Sequence, residues 1–153
     1  MNSAVAVDSS VVVKWFKKGE DKEIEALKLR DDILAGRMAP LISEWVYLEV
    51  VRALVKAGYS KSKIARAYET LREMTDLGFI RVVPISSLLD RAKDLEVELR
   101  LYAADAVNLS VSVLNAVNML TEDKHLLQKS ASNFMEKLGL KMMKLDEFYA
   151  GEV

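Results

Sequence analysis

Short apolar runs alternate along the chain with longer segments whose apolar residues recur at helical spacing. Residues 3–7, SAVAV, are apolar and partly β-branched, the pattern of a strand buried on both faces. Ser9 or Ser10 is placed to cap a short helix reaching Phe16. Residues 20–35 carry charges on one side and Ile24, Leu27, Ile33 and Leu34 elsewhere, which predicts a helix stopped by Gly36. A brief strand is predicted over 38–40, then helices over 43–57 and 60–77, ended by Gly58 and Gly78. Residues 79–84 are β-rich, and Ser87 with Asp90 predicts a capping box opening a helix that runs to residue 101.

Residues 106–114 satisfy two patterns. Val107, Leu109, Val111 and Val113 alternate as in a strand, whereas Ala106, Leu109, Val113, Ala116 and Val117 make a helical stripe. Periodicity leaves both open. Beyond them the pattern predicts a strand over 118–121, helices over 124–129 and 132–138, a strand over 141–144 and a final turn over 146–149. Short strands alternating with helices predict an α/β fold with a mainly parallel central sheet. No repeat, low-complexity tract or Pro/Gly-rich linker divides residues 1–153, which read as one domain.

Composition narrows the chemistry. Half of the 153 residues are apolar and 29% are charged, with a formal charge of −1. That balance is not that of a strongly basic nucleic-acid protein, so any nucleic acid is held by local patches or through a metal. The chain has no cysteine, which excludes disulfides, zinc–thiolate sites and thiol nucleophiles. The start, MNSAVAVDSS, has no basic region and does not read as a signal peptide. No apolar stretch approaches the roughly 18 residues that span a bilayer. The expectation is a cytoplasmic protein with no membrane partner.

One residue is out of place in the first apolar run: Asp8, in VAVDSSVVVKWF. A buried carboxylate is costly unless something compensates its charge. Three more acids adjoin core-like sequence. Glu49 interrupts a helical stripe of Val46, Val50 and Ala53; Asp105 sits in LYAADAVNL; Asp123 follows the apolar run before TED. In an open parallel sheet, ligands bind at the carboxyl ends of strands, where Asp8 and Asp123 fall. Each acid also has a plainer reading: Asp8 and Asp105 as helix caps, Glu49 paired with Arg52, Asp123 facing a helix dipole.

The segments VDSSVVVKWF, YLEVVRAL, YAADAVNLSVSVL and MLTEDKHLL, in this order, resemble those of PIN-domain ribonucleases, and within that family the VapC toxins. The resemblance implies a three-layer α/β/α fold with a helix from Ala106 onward. It implies that Asp8, Glu49, Asp105 and Asp123 are catalytic and hold Mg2+ or Mn2+, with Ser10 and Thr121 orienting them. It further implies a metal-dependent endoribonuclease that leaves a 5′-phosphate and a 3′-hydroxyl, an antitoxin partner and a homodimer.

Such chemistry is physically coherent. Converging carboxylates repel, a hard divalent ion relieves them, and oxygen ligands suit magnesium. Lys14, Arg52 and Lys124 are candidates for RNA phosphate contacts, beside Lys17, Lys18 and Lys56. His125 reads as a polar surface residue. The alternative function is a PIN-like protein-binding module with little or no cleavage, for which Trp15, Phe16, Trp45 and Tyr47 would be surface anchors. A third reading, an aspartyl phosphatase, wants a second aspartate where Ser10 stands.

Overall fold

The first apolar run forms the middle strand of the sheet, as a run buried on both faces requires. A computed structural model describes residues 3–150. Five strands lie in the order β3-β2-β1-β4-β5, with β1 Ser3–Val7, β2 Met38–Ser43, β3 Arg81–Val83, β4 Met119–Leu120 and β5 Met142–Met143. Every pairing is parallel; Ala6 aligns with Leu41 on one side and Met119 on the other.

Eight α-helices connect and flank the strands among the described residues: α1 Ser9–Val12, α2 Glu23–Leu34, α3 Trp45–Lys56, α4 Lys61–Asp76, α5 Leu89–Leu99, α6 Ala103–Asn115, α7 Lys129–Lys137 and α8 Leu145–Ala150. Strand alternation divides the core. Val5, Val7 and Ile42 pack with Leu29, Val50, Leu54 and Leu71 from α2, α3 and α4. Ala6, Leu41 and Met119 pack with Leu95, Leu109 and Met135 from α5, α6 and α7. The result is the three-layer α/β/α arrangement.

The chain runs outward from β1 through β2 to β3, then returns to β1's other edge for β4. The direction of winding therefore reverses between β1 and β4, and a crevice opens past their carboxyl ends. Asp8 follows β1 and Thr121 follows β4 at that crevice.

Several boundaries differ from the sequence pattern. The segment 106–114 is helical, inside α6. Residues 38–43 are all strand, so Ser43 ends β2 instead of opening α3. The first helix is shorter than expected, α1 giving way at Val13–Trp15 to a 3-10 turn. Its cap is Asp8, whose carboxylate accepts from the Ser10 N–H. Ser87 does not cap α5; it closes a 3-10 turn, Ile85–Ser87, and Leu88 precedes the helix without a side-chain cap. Residues 124–128 are turn and bend, and α7 starts at Lys129. The final segment is helix α8 and not a lone turn. Helices α5 and α6 end on Arg100 and Ala116 in the left-handed region, where glycine would have marked the stop.

Candidate active site

Asp8 is 1% exposed and is held by neutral donors. Its Oδ2 accepts from the Ser10 hydroxyl at 2.6 Å and the Thr121 hydroxyl at 3.0 Å. Its Oδ1 accepts from the Asn108 amide at 2.9 Å. The two hydroxyls are themselves oriented. Ser10 Oγ accepts the Glu122 N–H at 2.9 Å, and Thr121 Oγ1 accepts the Asp123 N–H at 3.0 Å. With an amide on its lone pair, each hydroxyl can turn its proton to the carboxylate. The chain just past β4 thus anchors the acid just past β1.

Glu49 comes from α3 and joins the same network, its Oε1 accepting the other Asn108 amide hydrogen at 2.8 Å. The Asn108 carbonyl accepts from the Ser43 hydroxyl at 2.6 Å. Sequence reasoning missed both residues. Asn108 lies one turn beyond Asp105 on the same helix, on a polar face shared with Ser112 and Asn115.

Asp105 is 7% exposed at the start of α6. Burial pushes its carboxyl up to about 6, Asp123 and Asp8 add to the rise, and His125 opposes it. Among the described residues no side-chain hydrogen bond relieves it. Burial likewise raises Glu49 to about 7, opposed by the Asn108 bond and reinforced by Asp8 and Asp105. Asp8 is raised by burial, with Asp123 adding, against the bonds from Ser10, Asn108 and Thr121. Asp123 is half-buried, and its Oδ1 accepts the His125 N–H at 2.7 Å. The four acids therefore share one electrostatic neighbourhood in which each of the three shifted carboxyls feels another acid and none is paired with Lys or Arg.

An open cleft of about 680 Å³ lies over this centre, lined by Ser9, Ser10, Glu49, Arg52, Lys56 and Asp123 among others. Of the cations expected to grip phosphate, Arg52 lines the cleft. Lys124 is exposed outside that lining. Lys14 is a correction: it is 8% exposed, and its ammonium donates to the Asp21 carbonyl at 2.6 Å. Its aliphatic stem belongs to the packed 3-10 turn, so it is not a free phosphate contact. His125 is exposed, its ring edge-on to Tyr102 at 5.1 Å. Trp15 and Tyr47 are buried, Trp15 donating to the Ala26 carbonyl, while Trp45 is exposed at the cleft.

The donor set suits a hard divalent cation: it is all oxygen, and the largely buried Asp105 keeps its carboxylate oxygens open to the cleft. Among the described residues, no three Asp, Glu or His side chains converge tightly enough to hold an ion by themselves. Magnesium does not need such a cage, because it retains several waters and takes one or two carboxylates.

The family model for the PIN domain matches residues 5–131, and the chain belongs to that family. No curated protein matches the sequence significantly. The structure is similar to that of a toxin-antitoxin complex from Klebsiella pneumoniae, with a TM-score of 0.55 and 19% identity over 84% of this chain and 92% of that one. It is also similar to the crystal structure of a Pyrobaculum aerophilum protein, with a TM-score of 0.53 and 20% identity over 90% of this chain and 96% of that one. At these identities the two likenesses speak to the fold. No helix among the described residues is long and apolar enough to cross a membrane.

Proposed function

We propose that the chain is a divalent-metal-dependent endoribonuclease, the toxin of a VapBC-type pair. The observation that carries this reading is the group of largely buried acids with no Lys or Arg partner among the described residues at the switch point of a PIN-domain sheet. Asp8, Asp105 and Asp123 would hold Mg2+ or Mn2+ directly or through water, with Glu49 as a further ligand or a water-positioning base. When bound, the ion supplies a more acidic water and stabilises charge on the phosphoryl and leaving oxygens.

The chain's own residues do the rest. Ser10 and Thr121 fix the orientation of Asp8. Glu49 lines the cleft and is placed to orient an attacking water or accept its proton. Arg52 and Lys56 line the cleft where a backbone phosphate would lie. The antitoxin expectation is supported by one structural neighbour being a toxin-antitoxin complex. The test is cleavage of a mixed RNA pool with magnesium and with chelator. Cleavage lost with chelator and restored by magnesium supports the reading; RNA untouched in every condition favours the binding module.

A further inference from the structure

The side chain that bridges Asp8 and Glu49 is neutral. Asn108 is 2% exposed and spends both amide hydrogens on carboxylates, one on Asp8 Oδ1 and one on Glu49 Oε1. Its carbonyl receives the Ser43 hydroxyl at the end of β2. This orientation is the only one that satisfies the set. A reversed amide would point its oxygen at two acids and its N–H groups at a hydroxyl.

We propose that Ser43 and Asn108 form a clamp that sets the spacing and orientation of Asp8 and Glu49, which makes Asn108 a positioning residue. Its kinetic consequence rests on the nuclease reading. The clamp sorts the four acids into two kinds. Asp8 has both oxygens engaged, and Glu49 is held by Asn108 and by the Ser9 side chain. Among the described residues Asp105 accepts no side-chain hydrogen bond, and Asp123 accepts one backbone N–H. The second pair is left open to a cation or substrate. Asn108 also stands one turn along α6 from Asp105, so one rigid helix sets the open acid against the clamped ones. Two strand ends and two helices are thereby registered through a single amide.

The test is a double-mutant cycle of Asn108→Leu and Glu49→Ala, read by thermal melts and by RNA cleavage. Asn108→Leu alone should lower the melting temperature by about 5 °C. It should also lower kcat about 10- to 100-fold, as loss of an outer positioning partner does, with KM within about twofold. In the Glu49→Ala background the same substitution should cost less than half as much in melting temperature and leave kcat nearly unchanged. Ser43→Ala should show the same kcat-only loss at a few-fold, and it decides the matter if Asn108→Leu does not fold. Additive melts, or equal falls in kcat in both backgrounds, overturn the clamp. The nuclease reading fails separately: coupled melts in a protein that cuts no RNA keep the clamp and reject the nuclease.

Discussion

Two buried aspartates on helices divide this molecule into a region built for stability and a region built under strain. Asp32, on α2, is 9% exposed and packed against a cation and a phenol. Its Oδ1 accepts from Arg37 at 2.8 Å and its Oδ2 from the Tyr149 hydroxyl at 2.8 Å. Burial pushes its carboxyl up, but the Tyr149 bond and the Arg37 bond and charge outweigh it, and the net shift is downward. Asp105 is buried to a similar degree and has none of this. Its neighbours are acids, and its carboxyl rises to about 6. A buried acid is thus no sign of chemistry by itself. A buried acid whose neighbours are other acids is, because only an added ligand or proton can relieve it.

Substitution should separate the two most sharply. Asp105→Asn should cut RNA cleavage about 100- to 1,000-fold, the range for losing one preorganised electrostatic group, while the melting temperature holds or rises. Asp32→Asn should do the reverse, leaving cleavage near wild type and costing about 1 kcal/mol of stability from its weakened bonds. Equal losses of cleavage in the two variants, at matched stability, would erase the distinction.

Titration should show opposite signs. Glu49 and Asp105 hold their protons to about 7 and about 6, well above ordinary carboxyls. The folded state therefore keeps protons that the unfolded state releases, and their contribution to stability falls as pH rises from about 4 to about 7. Asp32 is shifted down, so its contribution is present above about 4 and is lost as pH falls further. Melts from pH 4 to 8 should accordingly flatten in Glu49→Gln, and magnesium should raise the melting temperature most at the alkaline end. A slope unchanged by Glu49→Gln would place its strain elsewhere.

Smaller effects concern the cleft. Arg52→Ala should weaken RNA binding across sequences and lower its salt slope by about 1. Lys14→Met should leave that slope unchanged, since its ammonium is already spent on the Asp21 carbonyl. His125→Ala should retain most activity, measured as initial rates; its influence on Asp105 is a minor opposing charge.

The acids were legible in the sequence because each breaks an apolar pattern, and the resemblance joined Asp8, Glu49, Asp105 and Asp123 across long separations. The layers were legible because strand and helix periods alternate. Other features were hidden for physical reasons. Asn108 looks unremarkable beside charged residues, and its meaning depends on Ser43, 65 positions away. Lys14 follows the first acid closely in sequence, but the 3-10 turn buries it. Ser43 and Ser87 read as helix openers because serine caps helices, yet one ends a strand and the other closes a turn.

We propose that the acids without a Lys or Arg partner hold a cation for phosphodiester hydrolysis. The most direct measurement follows cleavage of a single-stranded RNA by wild type and Asp105→Asn, in chelator and across a magnesium titration. The account predicts no cleavage in chelator, saturable magnesium-dependent cleavage by wild type, and a loss of at least about 100-fold in the variant at every magnesium concentration. Cleavage that persists in chelator, or a variant as active as wild type, would contradict it.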